Sequence, residues 1–579
     1  MQIYERMDTK MFDISLKHEF YKLIGDDKIT SFEDTIELYS TPNSTAAFQV
    51  VVANDENVAI NLGQSDWFSH NSDVTVLRFE YEGMFTCEMN ILGFITDDDG
   101  KSKADILLKN DAVDFIGTNG GAYCEIKIPK NAINGDYEGK IKIYAKKMFA
   151  PETLIKTLNV KLYVSKYTLS DVIERDLHLD LWQHLSNIAR HHDVSLWSDE
   201  HFAVLEKYVA TLADLGQKAV TLVVSEIPWS GQSCFEQKQF DSNLFEYSIV
   251  KTKKEGENFY FDYSTMQRYI DLCKKYGIVD ELSIYGLANV WKRPEHGYDA
   301  VAADYPDAVR IRYYDGNDGT YKYMTEAKDI DLFVKSLEAY FLSTDQMEAV
   351  RLCADEPADV EAYKKSIDHL LEIAPSFKLK AAINHAEFIG EFKNEIFDFV
   401  PYIGCLAKEY DRVQDYKKIM TDKRFLWYVC CGPDYPNTFI KSPLRESAFI
   451  GILTSYMELH GFLRWNYTVY NKDPRNDLRY GTFPAGDINF VYPANNGGAL
   501  LSLRYKAMKR GFDYYEMLEA LKRAGETDLV EKCYDIVVKE KNIRNYFNDN
   551  FCPSVMMCDD NGMYEFVKIL VTSLDKIAK

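Results

Sequence analysis

The sequence predicts a mixed α and β protein of three parts: an N-terminal β-sandwich over residues 1–165, a (β/α)8 TIM-like barrel over 166–525, and a C-terminal helical extension over 526–579. Three observations carry this expectation. Short alternating or apolar runs separated by turn clusters fill the first 165 residues. From Lys166 onward, strand-like runs alternate with helical stretches. After Pro493 the apolar spacing becomes helical and amphipathic.

In the first part, the strand runs fall at 46–52, 74–79, 141–145 and 158–164. Asp97-Asp98-Asp99-Gly100, Asn119-Gly120-Gly121 and Asn134-Gly135-Asp136-Tyr137 mark turns between or beside them. A sandwich is the natural architecture for many short strands so punctuated. In the second part, eight runs are expected as parallel strands: 177–182, 219–224, 282–287, 349–355, 379–384, 403–407, 425–431 and 461–467. Helical periodicity is clearest at 201–215 and 358–373. Eight such units fit a closed barrel. A doubly wound open sheet is the alternative, but no GxGxxG opens a helix after the first strand and no P-loop occurs. Helices are expected at 501–523, closing the barrel, and at 528–547 and 563–577 as a small cap.

Length and composition narrow the function. A chain of 579 residues with 46% hydrophobic content has ample core for two or three domains. Its formal charge of −23 opposes nucleic acid and anionic membrane surfaces as partners. The 11 cysteines form no CxxC pair and no disulfide framework, and the segment from Met1 carries no apolar signal run. A cytoplasmic protein with reduced thiols is expected. A homo-oligomer is compatible with all of this.

The chemistry concentrates at Ala354-Asp355-Glu356-Pro357. An apolar strand delivers two adjacent carboxylates and a proline ends it. Close carboxylates repel, so one tends to keep its proton near neutral pH. One acid beside one anion is what glycoside hydrolysis uses. Around this pair the expected strand ends place Trp182 and His184, Trp229, Tyr285 and Asn289, Asn384, Trp427 and Tyr428, then Trp465 and Tyr467, with Asp487 downstream. Stacking faces and polar groups around two acids resemble a sugar pocket. Trp465 is expected as the platform under the terminal sugar. Trp182, Trp229, Trp427 and Tyr467 are expected as walls, and Tyr285 as a further substrate-binding residue. Asn384, His184 and Asp487 are expected as polar partners, with a structural histidine the rival for His184 and a turn partner for Asp487. A metal is not expected: His178, His184, His191 and His192 show no HxxxH or HExxH spacing. No GxSxG supports a serine nucleophile. No cofactor is implied.

Several ordered stretches make the chain resemble glycoside hydrolase family 123, a family of β-N-acetylgalactosaminidases, and related bacterial proteins sharing its catalytic-domain signature. They include Leu177-His178-Leu179-Asp180-Leu181-Trp182-Gln183-His184, Ala354-Asp355-Glu356-Pro357, Gly461-Phe462-Leu463-Arg464-Trp465-Asn466-Tyr467 and Arg479-Tyr480-Gly481-Thr482-Phe483-Pro484-Ala485-Gly486-Asp487. The resemblance implies a sandwich followed by a barrel. It implies exo-acting removal of terminal β-linked N-acetylgalactosamine with retention, the substrate's 2-acetamido group acting as nucleophile. Glu356 would then be the general acid/base, and Asp355 would orient the acetamido group. The partner would be a glycan ending in a β-linked N-acetylhexosamine. Two alternatives stand beside this: a β-glycosidase on another sugar, β-N-acetylglucosamine or a non-acetylated one, with Asp180 or Asp487 as protein nucleophile, and a catalytically silent glycan-binding protein.

Overall fold

The computed structural model describes residues 12–578 apart from 54–56, 65–66, 68, 70, 229–244, 291, 293, 295–297, 481–482 and 548–555. Two sheets come first. One has five strands, in the order Ile14–His18, Ser44–Val52, Gly120–Ile128, Cys87–Thr96 and Ser102–Leu108. The other has six, in the order Thr35–Ser40, Thr153–Val164, Gly135–Lys147, Thr75–Gly83, Val58–Asn61 and Ala112–Phe115. Successive side chains on a strand point to opposite faces. Leu158, Val160, Leu162 and Val164 therefore turn inward together, where they share one apolar cluster with Phe48, Val50, Cys124 and Ile126 of the other sheet.

Eight parallel strands follow: β1 His178–Leu181, β2 Ala219–Val223, β3 Glu281–Tyr285, β4 Val350–Asp355, β5 Lys378–Ile383, β6 Ile396–Pro401, β7 Arg424–Tyr428 and β8 Gly461–Arg464. Their order is β1-β8-β7-β6-β5-β4-β3-β2, a near-closed barrel sheet. The seam between β1 and β2 is narrow. One backbone bond crosses it, Lys218 N–H to Leu179 C=O at 2.9 Å, and glutamines supply the rest. Gln217 Oε1 accepts from Leu181 N–H at 2.9 Å, while Gln183 Oε1 accepts from Thr221 N–H at 2.9 Å. Side-chain amides thus complete a ladder whose ends would otherwise be orphaned.

The sixth strand differs from expectation. It lies at Ile396–Pro401, and the apolar run at 403–407 begins the helix Ile403–Ile419. A short buried apolar run has no periodicity that separates strand from helix. The helix expected over 528–547 stops at Val537, because Lys539 N–H bonds Met556 C=O and a short 3-10 turn, Ile543–Phe547, follows. Among the described residues no helix is long and apolar enough to cross a membrane.

A barrel interior is ordinarily filled by Val, Ile and Leu. Here six strands point charges inward. Lys380 of β5 donates to Asp180 of β1 and Glu281 of β3, both at 2.5 Å. Glu281 also meets His178 of β1 at 2.8 Å and Arg424 of β7 at 2.6 Å. Arg424 reaches Asp398 of β6 at 2.6 Å, and Asp398 accepts from Arg351 of β4 at 2.6 Å. Burial alone would lower the Lys380 pKa; Asp180 and Glu281 outweigh it, and the ammonium is held protonated above its ordinary value.

Breaking a buried ion pair by deleting one partner strands the other charge and costs about 3–5 kcal/mol. Lys380→Ala is therefore expected to lower unfolding stability by about that amount in a denaturant titration. A change under about 0.5 kcal/mol, the level of an ordinary surface substitution, would show that the lattice does not hold the barrel.

Candidate active site

The two acids end β4. Along that strand Arg351, Cys353 and Asp355 share the inward face by alternation, so a regular pleat would turn Glu356 outward. It does not stay regular. Glu356 adopts a left-handed backbone, φ +48°, which is sparsely populated for a residue with a Cβ. Its N–H still bonds Ala382 C=O of β5 at 3.0 Å, so the strand is held up to the break. The break brings the second carboxylate round to Asn384 and Tyr428. Asn384 Nδ2 donates to Glu356 Oε2 at 3.0 Å, and the Tyr428 hydroxyl makes a short hydrogen bond to Oε1. Tyr428 is the inward residue at the end of β7 and is fully buried.

Asp355 is fixed from the other side. Its carbonyl accepts from Asn289 Nδ2 in the loop after β3. Asn289 also has a left-handed backbone, φ +50°. Buried Asp307 pins that loop, accepting from Asn289 N–H at 2.7 Å and Val290 N–H at 3.0 Å, with Ser366 Oγ at 2.8 Å behind it.

Burial pushes the Glu356 carboxyl above its ordinary pKa. The hydrogen bond from Tyr428, the nearby His385 and the bond from Asn384 pull it back in part, and the negative charge of Asp487 adds to the rise. The strand end thus holds one carboxyl biased toward its protonated form next to a second carboxyl.

Asp487 arrives on a separately braced loop. Its Oδ1 accepts from Trp465 Nε1 at 3.2 Å and faces Arg464 Nη1 at 3.4 Å. Two buried arginines clamp the backbone around it: Arg464 Nη2 bonds Gly486 C=O and Asp487 C=O, and Arg504 Nη1 bonds Gly486 C=O and Asn489 C=O. Gly486 sits at φ +90° with Arg504 Nη1 only 2.9 Å from where a Cβ would be. Arg504 is anchored in turn by Asp105 of the five-stranded N-terminal sheet, at 2.9 Å. The N-terminal sheets therefore pack against the loop that carries Asp487.

The model of the glycoside hydrolase 123 catalytic domain matches residues 182–521, more than half of the chain. The chain belongs to glycoside hydrolase family 123. A solved family 123 glycoside hydrolase from Clostridium perfringens, described for the hydrolysis of glycolipid glycans, superposes with a TM-score of 0.73 over 98% of both chains at 16% identity. At that identity the likeness is one of fold. A putative glycoside hydrolase from Bacteroides vulgatus, 10% identical over 84% of this chain and 78% of its own, gives a TM-score of 0.32, too low to carry an argument. No curated protein sequence gives a significant match.

In this family 123 enzyme the residues expected around the acids are placed differently from one another. Asn384 touches Glu356 directly, and Trp465, 7% exposed, is oriented by Asp487 and packs on Phe483 at 5.5 Å. Trp182 and Tyr285 are buried inside the barrel, 4.9 Å apart, with Trp182 Nε1 donating to Asp180 at 3.2 Å. The register Ile284↔Leu352 puts Tyr285 level with Cys353, below Asp355. His184 is fully buried, edge-on to Trp465, and burial pushes its imidazole down to about 3, so it is neutral.

Two expected walls face elsewhere. Trp427 alternates with Tyr428, so it points outward, donating from Nε1 to Thr454 at 2.8 Å on the helix Leu444–Tyr456. Tyr467 is fully buried, its hydroxyl paired with Thr211 at 2.8 Å on the helix Asp199–Leu215. Both are core residues of the helix layer. Trp229 lies outside the described residues. Among the described residues no cluster of His, Cys, Asp and Glu could hold a metal. Sequence reasoning missed Arg464, Arg504 and Asp105 as supports. Tyr428 was expected at a strand end without this role; its signal was the alternation that sends Trp427 outward.

Tyr428 donates to the ionised form of Glu356, so its removal should raise that pKa further. Tyr428→Phe is expected to move the Glu356 titration to higher pH in carbon-13 spectra of labelled glutamate. An unchanged or lowered midpoint would show that the hydrogen bond does not act on the acid.

Proposed function

We propose that this family 123 enzyme is an exo-acting, retaining β-N-acetylhexosaminidase that prefers N-acetylgalactosamine and uses the substrate's own 2-acetamido group as nucleophile. The observation that carries the reading is the broken pleat at Glu356, which sets two adjacent carboxyls at one strand end with Glu356 biased toward protonation. Protonated Glu356 gives its proton to the glycosidic oxygen. As the bond to the aglycone breaks, the acetamido carbonyl oxygen bonds to the anomeric carbon. Asp355 accepts from the acetamido N–H and offsets the positive charge of the oxazolinium-like intermediate. Water then attacks the anomeric carbon, Glu356 takes a proton from it, and the ring opens to the acetamide with net retention.

A protein nucleophile would need a second carboxylate across the sugar from the acid. Of the two that sequence offered, Asp180 is fully buried between Lys380 and Trp182 Nε1, and Asp487 has one oxygen held by Trp465 Nε1 and Arg464. In this reading Trp465 is the stacking platform. The buried Asp487 Oδ2, which has no hydrogen-bond partner in the protein, accepts from a sugar hydroxyl. The Clostridium perfringens relative is described for the hydrolysis of glycolipid glycans, which supports a glycan as the substrate.

The test is a panel of chromogenic β-glycosides: N-acetylgalactosaminide, N-acetylglucosaminide, galactoside and glucoside. Cleavage confined to the N-acetylated sugars is expected. Glu356→Gln and Asp355→Asn should each lose about 10²-fold or more in kcat/KM, the scale of general acid–base assistance. The alkaline limb of the profile should lie above the ordinary carboxylate range, since the acid is active while protonated. Cleavage of the plain galactoside or glucoside would refute the acetamido mechanism. Wild-type turnover in either variant would remove that residue from it.

A further inference from the structure

A second built cleft lies outside the acidic site. Between β2 and the next barrel helix, and again before β4, the chain forms a small sheet in the order Asn258–Asp262, Lys251–Glu255, Arg312–Asp315 and Thr320–Tyr323. Register aligns one row across all four strands: Tyr260↔Lys253, Lys253↔Tyr314 and Tyr314↔Tyr321. At the usual strand spacing this row spans about 14 Å. Its tyrosines are open to solvent: Tyr260 is 53%, Tyr314 37% and Tyr321 67% exposed. The opposite face of the sheet is core, with Phe261 on Phe333 and Phe259 on Tyr313. The exposed row is therefore not what holds the sheet to the barrel.

The cleft over this row has a cavity volume of about 550 Å³, within the range of small-ligand sites. Its walls are fixed in advance. Arg312 is stacked between Tyr247 and Tyr321, with its guanidinium carbon 5.0 and 5.1 Å from the two ring centres. Buried Glu226 ties Arg312 from below at 2.6 Å, and Tyr323 completes the Glu226 carboxylate. Trp197 forms the facing wall with a left-handed backbone, φ +65°. His201, fully buried, locks it there: Nδ1 accepts from Trp197 N–H at 3.1 Å while Nε2 donates to Leu185 C=O at 3.1 Å. Strain held by a buried hydrogen bond, outside the chemistry already described, points to a ring that is being presented.

Charge decides the class of ligand. In a chain of formal charge −23, each cation here has its own acid: Arg312 with Glu226, Lys253 with Glu255, and Lys251 opposite Asp262. The balance suits a neutral ligand with apolar faces to stack and hydroxyls to bond. We propose that this cleft is a second binding site for a neutral oligosaccharide chain, separate from the site at Asp355 and Glu356. The proposal rests on the reading that the enzyme acts on glycans. Glu226 lies just past the end of β2, so the cleft opens at the same end of the barrel as the acids.

The experiment measures calorimetric affinity for a neutral tetrasaccharide ending in β-N-acetylgalactosamine, with Glu356→Gln protein to prevent turnover. It is repeated with Tyr260→Ala and Tyr321→Ala added, both at exposed positions. In parallel, the two tyrosine substitutions are placed in active enzyme and tested on a chromogenic monosaccharide glycoside. The expected result is about tenfold weaker tetrasaccharide binding, the sum of two lost stacking contacts, with monosaccharide turnover unchanged. Equal affinity with and without the tyrosines, no tetrasaccharide binding at millimolar concentration, or a parallel fall in monosaccharide turnover would each overturn the second site. Failure of the N-acetylhexosaminidase reading would show separately, as absent turnover in the unsubstituted enzyme, and would leave the affinity comparison readable.

Discussion

Lys380 is the point on which the barrel turns. It stands on the inner face of β5 between Asp180 and Glu281, and through Glu281, Arg424 and Asp398 its charge is linked to six of the eight strands. Such charges are tolerated inside only when every one is paired. A one-residue slip of any of these strands would turn its charge into the helix layer and strand the others, so the lattice specifies register more sharply than apolar packing does. Register in turn decides which residue emerges at each strand end. The positions of Asp355 and Tyr428 both follow from it.

At the strand ends the regular pattern is broken on purpose at one residue. Adjacent side chains on a strand diverge, yet the proposed chemistry needs two adjacent carboxyls on one side. The left-handed backbone of Glu356 reconciles these demands. Its cost is borne by neighbours: Ala382 C=O takes its N–H, Asn384 and Tyr428 take its carboxyl, and Asn289 holds Asp355. Asp487 reaches the same region through two buried arginines and a carboxylate of the N-terminal sheet. The N-terminal sheets thereby have a mechanical part in the site, whether or not they touch glycan.

Much of this was legible in the sequence. Seven of the expected strands overlap those observed, because apolar runs bounded by turns and separated by amphipathic helices carry a strong periodic signal. The sixth was misplaced because 403–407 is apolar at the start of a buried helix. The acidic pair was conspicuous because a proline ends its strand. The aromatic ring was less legible: Trp427 and Tyr428 are neighbours, and only one can face inward. Tyr467 lies beyond the end of β8, where strand alternation no longer predicts direction. The inner lattice had a signal that composition hides, charges at inward positions of otherwise apolar strands: Asp180, Glu281, Arg351, Lys380, Asp398 and Arg424. The clamps on Asp487 had none, since Asp105 and Arg504 lie about 400 residues apart and meet only by tertiary packing.

The central claim is that the substrate's acetamido group, steered by Asp355, replaces a protein nucleophile. A galacto-configured thiazoline, a stable mimic of the bicyclic oxazolinium, tests it most directly, since mimics of species near the transition state bind far tighter than substrate. The account predicts competitive inhibition at concentrations well below KM, lost in Asp355→Asn. Turnover of N-acetylgalactosaminides that the thiazoline leaves untouched, together with covalent labelling of the protein by a 2-fluoro glycoside, would contradict it.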